Sequence, residues 1–142
     1  YKGITVSGYP NYFKVNGPNT GSGHSSQISY MQTMVNYTVK AIRAVKRAEN
    51  IQAIDVRSDL QREYVDNVKE KLKLTVWQTG NCTAFYRKNM TGEVTSLSPE
   101  SVIHFVFSRK RFRLTDYQLV SPKIASVHPC QSAPSGAAAL LY

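Results

Sequence analysis

Apolar positions along the chain change their period twice, and each change marks an element. After Ser26, the residues Ile28, Met31, Val35, Ile42 and Val45 recur at three-, four- and seven-residue spacing, which places them on one face of a helix ending near Glu49 and Asn50. Ser58 with Gln61 three residues later has the form of a capping box. Leu60, Tyr64, Val68 and Leu72 then predict a second amphipathic helix to about Lys73, with Arg62, Asp66, Lys69 and Lys73 on its solvated face. Ile51 to Val56 reads as a short strand or an extended approach to that helix. Near the start, Tyr9-Pro10-Asn11 is turn chemistry, and the alternation from Tyr12 to Asn16 predicts a short strand. Beyond Leu74, β-branched and aromatic clusters are separated by Gly80-Asn81, Thr91-Gly92 and Ser98-Pro99. Short strands joined by turns are expected there, with Val102 to Phe107 the most strand-like run. From Ser121 the chain is small, polar and proline-bearing, and is expected to be a poorly ordered tail.

A chain of 142 residues with 42% apolar residues is long enough for one packed core. Its 18 Lys and Arg against 9 Asp and Glu leave a formal charge of +9, which admits nucleic acid, an anionic membrane surface or a phosphorylated ligand as partner. The densest basic cluster runs from Ser108 to Leu114. Lys40, Arg43, Lys46 and Arg47 form a looser set at helical spacing and read as a solvated face. One functional reading follows from the dense cluster: a basic module for single-stranded nucleic acid, in which Arg109, Lys110, Arg111 and Arg113 contact phosphates while Phe105, Phe107 and Phe112 stack on bases. No recognisable ribonucleoprotein motif accompanies it.

Cys82 and Cys130 lack a CxxC partner or a histidine at zinc-finger spacing, so no metal site is expected. No apolar run reaches about 18 residues, and the first residues lack the apolar core of a signal peptide, so the expected residence is cytoplasmic, without a membrane span. On that reading the N-x-Ser/Thr triplets at Asn36, Asn81 and Asn89 are chance occurrences rather than glycan acceptors.

The stretch Gly17 to Ser26, GPNTGSGHSS, lies between the predicted strand and the first helix. A phosphate-binding P-loop requires four residues between its glycines and a following lysine; here five residues separate Gly17 from Gly23, and His24 stands in the lysine position. A dinucleotide fingerprint is met only in part, because Ser26 occupies the third glycine position and residue 43 is arginine where an acid is needed. What remains is general. The glycines let backbone approach a ligand, Asn19 and Thr20 offer small polar side chains, and the amides and positive end of a helix point to the same place. The bland alternative is a tight turn with Ser25 or Ser26 as N-cap, and by itself His24 reads more readily as a capping or packing residue than as a catalytic one.

Taken together, GYPNYFKVNGPNTGSGHSS, the helix after it, VWQTGNCTAFY and RFRLTDYQL resemble the C-terminal part of the class B flavin monooxygenases of the Baeyer–Villiger, cyclohexanone-monooxygenase-like type, over about Gly8 to Leu119. The resemblance implies an α/β, two-dinucleotide-domain flavoprotein fold, to which this chain contributes a strand, a Gly-rich turn, two long helices and short strands. Residues 1–50 would close an FAD-binding domain, residues 51–120 would supply a C-terminal helix and strands, and residues 121–142 would form the tail.

The same likeness implies FAD and NADPH as cofactors, and oxygen transfer from O2 to a ketone or heteroatom substrate through a peroxyflavin. Gly17, Pro18, Asn19, Thr20, Gly23 and His24 would border the flavin. The N-terminal FAD fingerprint, the NADPH fingerprint and the F-x-G-x-x-x-H signature of the family are absent from this chain. The expected object is therefore one wall of a flavin site within a longer protein, with no convincing general acid or base of its own.

Overall fold

The computed structural model describes residues 1–48, 50–80, 84–88 and 91–121; Cys82, Cys130, the Asn81 and Asn89 triplets and residues 122–142 of the expected tail lie outside them. Helix α1 (Gln27–Arg47) contains neither glycine nor proline, and Lys46 and Arg47 in its last turn face the negative end of its dipole. Strand β1 (Ala53–Val56) leads into α2 (Ser58–Lys73), followed by the single turn α3 (Val76–Thr79) and then α4 (Val102–Lys110). A short 3-10 turn, Leu114–Asp116, leads into β2 (Tyr117–Val120), which pairs antiparallel with β1 from Ala53↔Val120 to Val56↔Tyr117. Among the described residues the architecture is thus four helices with one two-stranded ribbon.

The buried face of α1 is not the one the spacing predicts. Tyr30, Met34, Tyr37 and Ala41 are buried, whereas Ile28 is 75% exposed and Met31, Val35 and Ile42 also face outward; of the predicted set, Val45 packs against the core. Hydropathy undervalues tyrosine, whose ring buries a large area once its hydroxyl finds a partner. Here Tyr30 Oη donates to Glu100 O at 3.1 Å, and the Tyr37 and Tyr117 hydroxyls bond at 3.0 Å. Tyr30, Met34, Tyr37 and Phe105 pack with Ile4 in one cluster; Ala41, Ile54, Val56 and Tyr117 form a second beside it.

Four further expectations are corrected. Tyr12 to Asn16 forms no strand; Phe13 makes an isolated bridge to Thr5, and Asn11, at a left-handed φ of 57°, hydrogen-bonds with its side chain and amide to Gln52 and Ile54. Ser58 is the first helical residue of α2 rather than its cap, and Gln61 Oε1 instead accepts from Ser7 N at 2.7 Å. Val102 to Phe107 is helical, not a strand: Ser101 Oγ caps α4 by accepting from His104 N at 3.3 Å, and the four-residue step from Phe105 to Arg109 puts both inward. Between Leu74 and Ser101 the expected short strands reduce to the isolated bridges Gly21↔Leu97 and Arg87↔Val94.

Arg109 is fully buried. Its guanidinium donates to Glu100 Oε2 at 2.7 Å, Tyr64 Oη at 2.8 Å, Lys2 O at 3.1 Å and Phe105 O at 3.2 Å, and lies 3.5 Å from the Phe105 ring centre. It thereby joins α4 to α2 and to the N-terminal segment. Removing one member of a buried ion pair strands the other charge, at about 3–5 kcal/mol. Glu100→Ala is therefore expected to lower unfolding free energy in urea by about that amount. A loss below about 1 kcal/mol, the range of an exposed pair, would show that the guanidinium is solvated.

Burial pushes the hydroxyls of Tyr37, Tyr64 and Tyr117 to titrate above the ordinary tyrosine range, Tyr37 the most clearly. Above pH of about 10 the unfolded chain ionises these groups while the folded chain does not, so stability falls as pH rises. Tyrosinate absorbance of these buried residues should therefore rise together with the loss of helical circular dichroism; ionisation of all three within an intact fold would contradict the burial.

Candidate functional site

The turn from Gly17 to Ser26 is built from contacts that no larger side chains would permit. A Cβ on Gly17 would lie 2.2 Å from Gly3 O, and one on Gly23 would lie 2.4 Å from the Trp77 ring. Gly21 forms a parallel bridge with Leu97: Gly21 N donates to Ser96 O, and Ser98 N donates to Gly21 O, both at 2.8 Å. The turn therefore rests on two floors, the N-terminal segment on one side and residues 94–98 with Trp77 on the other.

Asn19 and Thr20 point into this packing rather than away from it. Asn19, at a φ of 55°, donates its amide to Thr95 O at 2.9 Å and its side chain to Val94 O at 3.0 Å and Leu97 O at 3.2 Å. Thr20 is fully buried, and its hydroxyl donates to Gly17 O at 2.6 Å. Both side chains are thus engaged in holding the loop. Pro18, Gly23, His24, Ser25 and Ser26 are exposed. The His24 ring stacks on Trp77, with ring centres 6.1 Å apart and planes 16° from parallel.

Ser22 and Gln27 tighten the approach to α1. Ser22 N donates to Gln27 Oε1 at 2.6 Å, Ser22 Oγ donates to Ser25 O and accepts from Ser25 N, and Gln27 Nε2 donates to Asn16 Oδ1 at 2.8 Å. Ser26 stands at the N-cap position, but its side chain makes no capping bond. The backbone amides of Gly23, His24, Ser26, Gln27 and Ile28 have no hydrogen-bond partner among the described residues. The first turn of α1 carries no acid, whereas α2 has Asp59 in its first turn. A row of free amides at the positive end of a 21-residue helix suits a carbonyl-rich or anionic edge.

The sequence reading identified this turn and its glycines but not their partners. The stacking of His24 on Trp77 and the support from Val94 to Ser98 join segments far apart in the chain, which no local pattern signals. The basic cluster is divided by the fold. Arg109 and Phe105 are buried and Phe112 is packed into the core, so the set of phosphate and base contacts required for a nucleic-acid surface is not presented. Lys110, Arg111 and Arg113 instead line a groove of about 720 Å³ with Lys2 and Lys71, and no residue of the turn contributes to it. Among the described residues no group of three or more His, Cys, Asp or Glu is arranged to hold a metal ion, and no helix is long and apolar enough to cross a membrane.

Gly23→Ala forces the Trp77 ring aside, at a cost of about 1–3 kcal/mol for overpacking. Because Trp77 is the sole tryptophan, the emission spectrum reads this displacement directly, and a red shift is expected. An unshifted spectrum with unchanged stability would mean that the turn does not rest on Trp77.

No family model matches the chain. Over 126 residues it is 35% identical to a Baeyer–Villiger monooxygenase of Streptomyces coelicolor, covering 89% of this chain and 24% of that protein. A Baeyer–Villiger monooxygenase of Pseudomonas aeruginosa is 31% identical over 127 residues, with the same shares of each chain, and an FAD-binding monooxygenase of Aspergillus niger is 31% identical over 130 residues. The closed crystal structure of a cyclohexanone monooxygenase superposes with a TM-score of 0.70 at 18% identity, covering 85% of this chain and 23% of that one. A second, the Rhodococcus sp. Phi1 enzyme bound to NADP+, gives a TM-score of 0.65. The mixed α/β arrangement thus matches part of that fold, and the chain spans about a quarter of the length of the relatives it matches. By sequence and by fold together, the chain is homologous to the Baeyer–Villiger and cyclohexanone monooxygenases, a group of FAD-binding enzymes.

Proposed function

We propose that this chain supplies one wall of the flavin site in an FAD- and NADPH-dependent monooxygenase that transfers one oxygen atom from O2 to a ketone or heteroatom of a small organic substrate. The observation that carries this reading is the set of unpartnered amides at Gly23, His24, Ser26, Gln27 and Ile28, with no acid in the first turn of α1 and the His24–Trp77 stack at its border, in a chain homologous to such enzymes. The donor set fits the polar edge of a flavin, whose pyrimidine side presents carbonyl oxygens and takes negative charge on reduction.

Bound FAD would supply the redox chemistry, accepting a hydride from NADPH and activating O2. The residues of this chain hold and polarise. Gly17 and Gly23 let the turn close onto Gly3 and Trp77, exposed Pro18 would border the cofactor, and the α1 amides stabilise charge on its edge without reorganising. Asn19 and Thr20 act as positioning residues: their hydrogen bonds to Val94, Leu97 and Gly17 fix the loop that carries those amides. His24, stacked on Trp77, shields the rim of the turn. In this reading residues 1–50 complete an FAD-binding domain, and α2, α4 and the ribbon brace it.

The test is a chimera in which this chain replaces the matched 126 residues of the Streptomyces coelicolor relative. It is expected to retain FAD, and its yellow absorbance, through gel filtration, and to oxidise NADPH. Within it, Ser26→Asp provides a good helix cap but sets a carboxylate among the amides. That variant should keep its helical content and lose at least about tenfold in FAD affinity, which corresponds to about 1.4 kcal/mol. Undiminished FAD affinity in the Ser26→Asp chimera would overturn the assignment of this turn to the flavin.

A further inference from the structure

Helix α1 has two apolar faces, and the described structure buries only one. Opposite the buried Tyr30, Met34, Tyr37 and Ala41, the residues Ile28, Met31, Val35, Val39 and Ile42 follow at intervals of three, four, four and three and are 37–75% exposed. At about 100° per residue the second stripe is centred roughly 130° from the first and extends for about 21 Å. No charged residue interrupts it; Asn36, Lys40 and Arg47 lie on the remaining face. Scattered apolar residues are ordinary on a surface, but a continuous stripe marks an interface. A helix apolar on two sides is one that lies between two layers.

We propose that this stripe seats an apolar face of the dinucleotide-binding polypeptide that accounts for the remaining length of the enzyme, so that α1 is sandwiched between that polypeptide and the core described above. This placement rests on the flavin-site reading. Two observations identify the occupant. The matched relatives contain about four times the length aligned here, so most of their mass has still to be placed around this segment. The stripe is also continuous with the candidate site: Ile28, its first member, belongs to the first turn of α1, whose amides face the proposed flavin edge. A polypeptide completing the other walls of that site must pass beside this face.

Single cysteines at Val35 and Val39, labelled with a maleimide and read by peptide mass spectrometry, test the arrangement in the chain alone and in the chimera described above. Labelling is expected to be fast in the chain alone and at least about 100-fold slower in the chimera. Equal rates in the two contexts would overturn the proposal, as would slow labelling of the chain alone that speeds up on dilution, which would make a second copy the occupant. Flavin absorbance of the same chimera separates the two readings. Protection without bound FAD leaves the docking face standing and removes the flavin wall; bound FAD without protection does the reverse. Should the chimera fail to fold, the double substitution Val35→Glu with Val39→Glu in the chain alone remains decisive. It should leave circular dichroism unchanged and reduce binding of a hydrophobic dye at least about threefold. Unfolding of that variant would show that the stripe already serves the core of this chain.

Discussion

Arg109 carries its charge with no side-chain exposure, and the elements around it are arranged to make that tolerable. Glu100 supplies the countercharge, Tyr64 and the carbonyls of Lys2 and Phe105 satisfy other donors, and the Phe105 ring lies against the guanidinium plane. Tyr64 lies in α2 and Lys2 in the N-terminal segment, while Phe105 is one turn earlier in α4 and Glu100 just precedes that helix. A charge in a low-dielectric setting is affordable only when all of these are present together, so the network specifies one arrangement of α2, α4 and the N-terminal segment rather than a family of similar ones. Glu100 also lies 3.1 Å from the exposed His104 imidazole, which links the buried pair to the surface of α4.

That arrangement fixes the floor beneath the glycine-rich turn. Ser98 and Glu100 are both buried, and the segment from Val94 to Leu97 receives the Asn19 side chain and bridges Gly21. The turn is consequently held by hydrogen bonds directed away from its exposed surface. Its free amides are thereby held in a fixed orientation, the condition under which backbone dipoles stabilise charge most effectively. The side chains of Asn19 and Thr20, which sequence alone offers as ligand contacts, thus serve to hold the turn.

The same economy explains the surface of α1. Within this chain the helix needs one face, and its tyrosines and methionine provide it. The second apolar face is consistent with a segment that corresponds to about a quarter of its relatives.

How much of this was legible depended on whether the signal was local. The two long helices and the glycine-rich turn follow from periodicity and backbone permissiveness, both of which act within a few residues, and β1 is one of the two readings open for Ile51 to Val56. The resemblance carried by the spaced motifs was equally a property of the sequence, and the homology agrees with it. Which face of α1 turns inward was not legible, because tyrosine's burial depends on a distant partner for its hydroxyl, Glu100 O for Tyr30 and Tyr117 for Tyr37. Nor was the helical state of α4: its β-branched and aromatic residues favour a strand locally, and the Ser101 cap with inward-facing Phe105 and Arg109 overrides them. Composition marked Arg109 as one more surface cation. Only the tertiary structure, by gathering a carboxylate, a phenol, two carbonyls and an aromatic face around it, made burial of that charge possible.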